Sequence, residues 1–588
     1  MRPVFPLAGF TVAMLMIDGF ASHSVPEVAF RVTAGASEKE ADYGCFRLQD
    51  QRTPYPIATT REQFRAHLIY ICCSMPRAKF CVLLLSLVPL AAFHTASGQS
   101  PVSAVQSLPE PPPIRREFRG VWIASVQNID WPSQPGLSTQ EQKDELLGLL
   151  DRAAALRLNA VILQVRPAAD AMYPSPYEPW SEYLTGRMGR APNPWYDPLE
   201  LAVTEAHKRG LELHAWFNPY RARHPSARSA PSADHISVTH PELVKRYGSM
   251  LWMDPGEPAV RAQTIRVVMD VVQRYDIDGV HIDDYFYPYK ETDRRGRTIE
   301  FPDARSWRKY LRSGGRLEKD DWRRANVDSL IHQVYMRIKA AKPWVKFGIS
   351  PFGVWRPGNP PEIGGLDSYS ELYGDSRKWI LNGWADYFTP QLYWPTTRED
   401  LSYPVLLKWW VEQNAKGRHV WPGNYLDKVT GTATGWPAQE LLDQIALTRA
   451  QQGATGNVYF SMRSFMFGRD SLPEKLVAGA YASKALVPAS PWLDSIPPPS
   501  PIVRVGRDEA SGASTVSLEP QGAEPIRLWV VRTRVGTDWT TEVLSGLQRF
   551  YMIPRIAGGA VADELAVSAV DRSGNESAPA LLSLVSPP

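Results

Sequence analysis

The chain has 588 residues, of which 44% are hydrophobic and 22% charged, with a formal net charge of +3. That composition belongs to a folded protein rather than a disordered one. The charge is too small for a nucleic-acid footprint, and no long basic run supplies one.

Residues 1–74 lack clear periodicity and read as an extension ahead of the true start. Met75-Pro-Arg-Ala-Lys79 is a short basic stretch, Phe80–Phe93 an apolar run, and Ala96-Ser97-Gly98 a small-residue cleavage site. This predicts a secretory signal peptide over 75–98, with translation from Met75, a mature chain from near Gln99, and export to the periplasm, envelope or exterior. The run is short for a bilayer span, so no stable membrane span is expected after cleavage. Cys45, Cys72, Cys73 and Cys81 all precede the mature chain, which excludes a disulfide framework, a thiolate zinc site or a cysteine nucleophile in the main body.

Residues 99–114 are a Pro-rich linker. A strand–helix alternation then fills 115–486. Strands are predicted at Phe118–Ser125, Ala160–Arg166, Leu211–Asn218, Gly279–Asp284, Lys346–Ser350, Tyr387–Tyr393, His419–Tyr425 and Asn457–Arg463. Helices with i, i+3, i+4 apolar spacing are predicted at Glu141–Arg157, Pro198–Arg209, Pro258–Tyr275, Trp322–Ala341 and Ala438–Gln452. Eight such units predict an α/β fold, a (β/α)8 TIM barrel. A second Pro-rich linker spans 487–501. Short alternating runs at Ile526–Arg532, Phe550–Ile553 and Glu564–Asp571 predict a small all-β sandwich of fibronectin type III kind over 502–588.

Barrel chemistry belongs at the C-terminal ends of the strands. In Gly-Val-His-Ile-Asp-Asp (279–284), His281 and Asp283 share the face opposite Val280 and Ile282, which places a partly desolvated carboxylate at the mouth. Asp284 follows and points the other way unless the chain bends. Gln164 with Arg166, His214 with Trp216 and Asn218, and Gln391 with Tyr393 are further polar faces at strand ends, suited to a polyhydroxylated ligand. Arg166 reads equally as a structural ion-pair partner.

Glycoside cleavage needs two carboxyls. Asp283 is one; for the second, Asp170 and Glu371 rank above Asp375 and Asp386 because they follow barrel strands at the expected active end, although each of the four reads more readily as a loop cap or surface group. Trp131, Tyr173, Trp180, Trp195, Tyr285, Tyr287, Trp355, Tyr393, Trp394 and Trp421 cluster after strand ends, where aromatic faces stack on sugar rings or pack loops on the rim. No cofactor or metal is expected: no HExxH, Walker loop, GxSxG elbow or post-strand GxGxxG occurs, and His281, Asp283 and Asp284 cannot all face one ion.

Seven motifs occur in one order: Arg119-Gly-Val-Trp-Ile-Ala124; Asn159–Pro167 with Asp170-Ala-Met-Tyr173; His214–Arg221; Asp278–Pro288; Ser350–Trp355; Tyr373–Trp379; and Pro390–Trp394. In these, over about 115–485, the chain resembles the glycosyl-hydrolase-like family 10. The resemblance implies a TIM-barrel glycosidase acting on peptidoglycan or a related polysaccharide, especially strands stripped of stem peptides. It places the strand-four aspartates at Asp283 and Asp284 and leaves the acid open. Arg166, Arg221 and Arg356 are candidates to meet lactyl carboxylates. A non-catalytic carbohydrate-binding envelope protein is the competing expectation, with the sandwich mediating attachment. The sandwich reads as a spacer or wall-contact module, and of Trp529 and Trp539 at least one is expected to pack in the core rather than touch glycan.

Overall fold

The computed structural model describes residues 110–507, 514–553 and 562–584. The expected extension, signal peptide and most of the first linker lie outside the described residues. Among those described, no helix is long and apolar enough to cross a membrane.

The fold is mixed α/β. A nine-stranded parallel sheet comprises β1 (Phe118–Ile123), β2 (Ala160–Arg166), β3 (Glu212–Phe217), β4 (Gly279–Ile282), β5 (Lys346–Ile349), β6 (Tyr387–Phe388), β7 (His419–Val420), β8 (Gly423–Tyr425) and β9 (Gly456–Phe460). Its order is β7-β6-β5-β4-β3-β2-β1-β9-β8. The two end strands are separated in the chain by Trp421 and Pro422 alone, so the sheet curls until its ends adjoin. Bridges Gln391↔Gly423 and Val420↔Ala454 tie this segment to both sides.

Strand alternation sorts the side chains into two cores. Val121, Ile123, Val161, Leu163, Leu213, Phe217, Val280, Ile282, Phe347 and Ile349 face the helical layer. Phe118, Trp122, Ala160, Ile162, Trp216, Tyr387, Trp421 and Val458 fill the inside of the curl. The inner packing is close enough to demand glycine: a Cβ on Gly348 would meet the Tyr387 ring at 1.8 Å.

The expected helices form, at Thr139–Ala155, Pro198–Lys208, Pro258–Arg274, Lys319–Ala341 and Ala438–Ala450. The first begins at a capping box of Ser138 and Glu141 and buries Leu146, Leu149, Leu150 and Ala153. Asp197 caps the second ahead of Pro198. A three-stranded side sheet, Arg221–Arg223, Val244–Tyr247 and Met250–Met253, was not expected.

The C-terminal region has two antiparallel sheets that share one core. Its strands are β10 (Ile502–Arg507), β11 (Ser514–Glu519), β12 (Leu528–Val535), β13 (Asp538–Ser545), β14 (Phe550–Met552), β15 (Glu564–Val570) and β16 (Ala580–Ser583). The sheet orders are β10-β11-β14 and β13-β12-β15-β16. Trp529 is buried in this core, the packing role expected for at least one of Trp529 and Trp539.

This unit packs on the N-terminal ends of the parallel strands. Arg527 donates to the Leu211 carbonyl at 2.7 Å and pairs with Asp278 at 3.1 Å, and Asp278 also holds His207 at 2.9 Å. Arg572 meets Asp276 at 2.7 Å and Arg116 meets Glu576 at 3.0 Å. Leu486, Leu528, Val530 and Val570 close an apolar seam. Within the Pro-rich segment 487–501, the Trp492 indole donates to Asp386 at 2.9 Å.

Candidate active site

At the C-terminal ends of the strands a cleft of about 340 Å³ opens. β4 ends at Ile282, and beyond it strict alternation lapses. Asp283 and Asp284 both line the cleft and are both buried. This is the bend on which the orientation of Asp284 depended.

Each carboxyl is held by its own donors. The Trp216 indole and the Asn218 amide both donate to Asp283 Oδ2 at 3.1 Å, and the Tyr285 N–H donates to Oδ1 at 3.3 Å. Burial pushes the Asp283 carboxyl up to about 6, against the pull of Arg221 and with a further push from Asp284. Asp284 accepts from the Tyr289 hydroxyl and from the Gln391 amide. Burial also raises Asp284, and those hydrogen bonds oppose the rise.

Around the pair stand Gln164, Trp216, Tyr285, Gln391 and Tyr393, as expected, and also Trp122, His224, Tyr289, Ser350, Tyr425 and Phe460. Gln164 uses its carbonyl oxygen on the Ser125 and Val126 N–H groups, while its buried Nε2 has no protein partner. Arg221 lines the cleft with its guanidinium 4.5 Å from the centre of the Tyr285 ring. Burial, then Arg221, lowers the His224 imidazole to about 4, so it is neutral at physiological pH.

His281 and His214 lie beneath the cleft. His281 Nε2 faces the Trp122 indole N–H and the Ser350 hydroxyl, both at 3.1 Å. Its hydrogen is therefore on Nδ1, which donates to Tyr387. The Tyr387 hydroxyl donates to His214 Nδ1 at 2.8 Å, and His214 Nε2 donates to Glu212 at 3.0 Å. Lys346 completes the chain on Glu212 at 2.8 Å. Neither histidine is placed to touch substrate. His281 fixes Trp122 and Ser350, and Asn218 likewise acts on Asp283 rather than on a ligand.

Other candidates belong elsewhere. Arg166 is buried in an ion pair with Glu178 and donates to the Asn218 and Pro219 carbonyls, so it is structural. Asp170 is buried in its own loop, accepting from the Ala168 N–H and Ser181; burial raises it to about 6, away from the cleft lining. Glu371 ends the short helix Ser368–Glu371, outside the cleft. Asp375 caps the helix Ser376–Asn382, and Asp386 accepts the Phe347 N–H and pairs with Lys339. Trp355 stacks on Trp409 and donates to Asp375, and Trp394 packs edge-on against Phe352. Trp131, Tyr173, Tyr287 and Trp421 are fully buried packing residues. Arg356 lies 3.4 Å from Asp367. The missed residues carried a weak signal: Tyr289 closes the run Tyr-Phe-Tyr-Pro-Tyr, and Trp122 sits on the inner face of β1.

Comparison with known proteins gives the family. The family model described as "Glycosyl hydrolase-like 10" matches residues 117–432. The chain is 44% identical over 416 residues to the glycosyl hydrolase YngK of Bacillus subtilis, covering 69% of this chain and 80% of that protein. It is 38% identical over 347 residues to the glycosyl hydrolase DigH of Escherichia coli, covering 56% of this chain and 75% of that protein. Among solved structures, the PgaB (BpsB) glycoside hydrolase domain of Bordetella bronchiseptica aligns with a TM-score of 0.42 at 13% identity, over 62% of this chain and 98% of that one. The chain belongs to the glycosyl hydrolase-like 10 family.

Proposed function

We propose that the protein is an exported glycoside hydrolase that cuts glycosidic bonds in bacterial cell-wall glycan, peptidoglycan strands without stem peptides in particular. The observation that carries the reading is the pair Asp283–Asp284, buried together in an aromatic- and amide-lined cleft with the Asp283 proton available near pH 6. Burial raises both carboxyls, and this reading divides the roles of acid and anion between them. Asp283 is the proton donor to the departing oxygen, and Asp284, relieved by Tyr289 and Gln391, is the anion.

Aromatic rings suit the faces of sugar rings, and Gln164 Nε2 suits a sugar oxygen. Arg221 offers a cation to the lactyl carboxylates of the glycan. Counting β7 and β8 as one strand broken at Pro422, the scaffold is a closed (β/α)8 barrel over 115–486. The C-terminal region, of three- and four-stranded sheets, is of fibronectin type III kind. Its seat opposite the cleft favours a supporting role over contact with the wall.

The test is incubation of the chain with intact and amidase-treated peptidoglycan, followed by mass spectrometry. Preferential release of saccharides from the amidase-treated material is expected. Retention of the glycan without cleavage would favour a binding protein.

A further inference from the structure

The two carboxyls of the cleft are consecutive residues on one wall. Hydrolysis by two enzyme carboxyls places them on opposite sides of the anomeric carbon, about 5–10 Å apart. In the sheet order, β1 and β9 stand three and four places from β4, and they build the facing wall. That wall presents Trp122 and Phe460, with Tyr425 beside them.

The acidic residues on that side are already engaged. Asp130 accepts from the Ala124 N–H, the Ser461 hydroxyl and the Arg463 N–H, each at 2.7 Å. Asp427 accepts from Ser464 and lies 3.9 Å from Arg463. Neither lines the cleft. Among the described residues, Asp283 and Asp284 are the carboxyls that do.

We propose that the missing group travels with the substrate: the site cleaves 2-acetamido glycosides, the sugar's own acetamido oxygen acting as nucleophile, with Asp284 holding the acetamido N–H and Asp283 serving the leaving oxygen. This rests on the hydrolase reading above. In the first step the Asp283 proton passes to the glycosidic oxygen as its bond to C1 breaks, and the acetamido oxygen bonds to C1, giving a cyclic oxazolinium ion. The Asp284 carboxylate accepts a hydrogen bond from the ring N–H and offsets its positive charge. In the second step water attacks C1 and gives its proton to the Asp283 carboxylate. The C1–oxygen bond of the ring breaks, and its electron pair restores the amide. One water is consumed, and the anomeric configuration is retained.

The surroundings of Asp284 suit the role. Tyr289 and Gln391 hold the carboxylate in place without neutralising it. A neutral acceptor would orient the N–H but leave the developing cation without a counter-charge.

The test uses the full chain and one batch of glycan strands, with and without chemical N-deacetylation, and the stable thiazoline analogue of the oxazoline. N-acetylated strands should be cleaved on the order of 100-fold faster than deacetylated ones, because the nucleophile is lost with the acetyl group. The thiazoline should bind at least about 100-fold more tightly than the parent saccharide. Calorimetry should show that preference lost in Asp284→Asn while circular dichroism shows the fold kept. Equal cleavage of both strands, or an enzyme indifferent to thiazoline, would overturn neighbouring-group participation and leave the hydrolase reading intact. Failure to cleave any strand would remove the hydrolase reading and this proposal with it.

Discussion

At the scale of single residues, the site is costly to the fold. The carboxyl of Asp283 has an ordinary value of 3.8 and is raised to about 6 in the folded protein. Between those values the folded state holds more protons than the unfolded one, so this group's contribution to stability falls as pH rises through that window. Asp283→Asn should therefore be neutral to stability below about pH 4 and stabilising by about 2–3 kcal/mol above pH 7. Urea unfolding at both pH values checks this, and equal effects at the two would contradict it. The same substitution should lower kcat by about 100-fold or more.

Arg166 makes the opposite case. Its guanidinium and Glu178 are both buried, so Arg166→Met strands a carboxylate and should cost about 3–5 kcal/mol. Denaturant midpoints would register that loss, whereas a residue that only bound substrate would leave them unmoved.

At the scale of elements, period-two alternation made much of the sheet legible in the sequence. The apolar residues of β2, β3 and β4 divide between the outer and inner cores at that spacing, and His281, His214 and Gln164 lie on the inner side, the two histidines beneath the cleft rather than against a ligand. It failed where the strand stopped, which is why the direction of Asp284 was open. It could not find the partner of Arg166, because Glu178 returns from a loop twelve residues on. Asp170 and Glu371 take the loop and surface roles that were the better expectation for each, and neither supplies the second carboxyl: position after a strand does not say whether a loop turns its carboxyl to the cleft or to its own backbone. The side sheet was missed because its strands are three or four residues long and partly charged.

The inner packing is tight enough to be tested at one atom. Gly348→Ala places a methyl group in the Tyr387 ring and should cost about 1–3 kcal/mol. Gly148, whose added Cβ would meet nothing, is the control. A harmless change at Gly348 would mean that the inner face of β5 is looser than described.

At the scale of the whole molecule, the parallel sheet and the C-terminal sandwich share a seam of charge and apolar contact, so they should unfold as one cooperative unit. Burial alone would raise Asp278, but Arg527 and His207 outweigh it and hold the carboxyl below its usual range. That stabilisation is present above the unfolded value and is lost on acidification. The cost of Arg527→Met should therefore be larger at pH 7 than below about pH 4. Calorimetry of the full chain should show a single transition, and two well-separated ones would contradict the seam.

The most direct test of the whole account is hydrolysis of amidase-treated glycan strands in 18O-water, read by mass spectrometry, for the natural chain beside Asp283→Asn. One heavy oxygen at each new reducing end from the natural chain, and new ends formed about 100-fold more slowly or not at all by the folded variant, is the predicted result. New ends without heavy oxygen, or full release by the variant, would contradict a hydrolase that works through the paired aspartates.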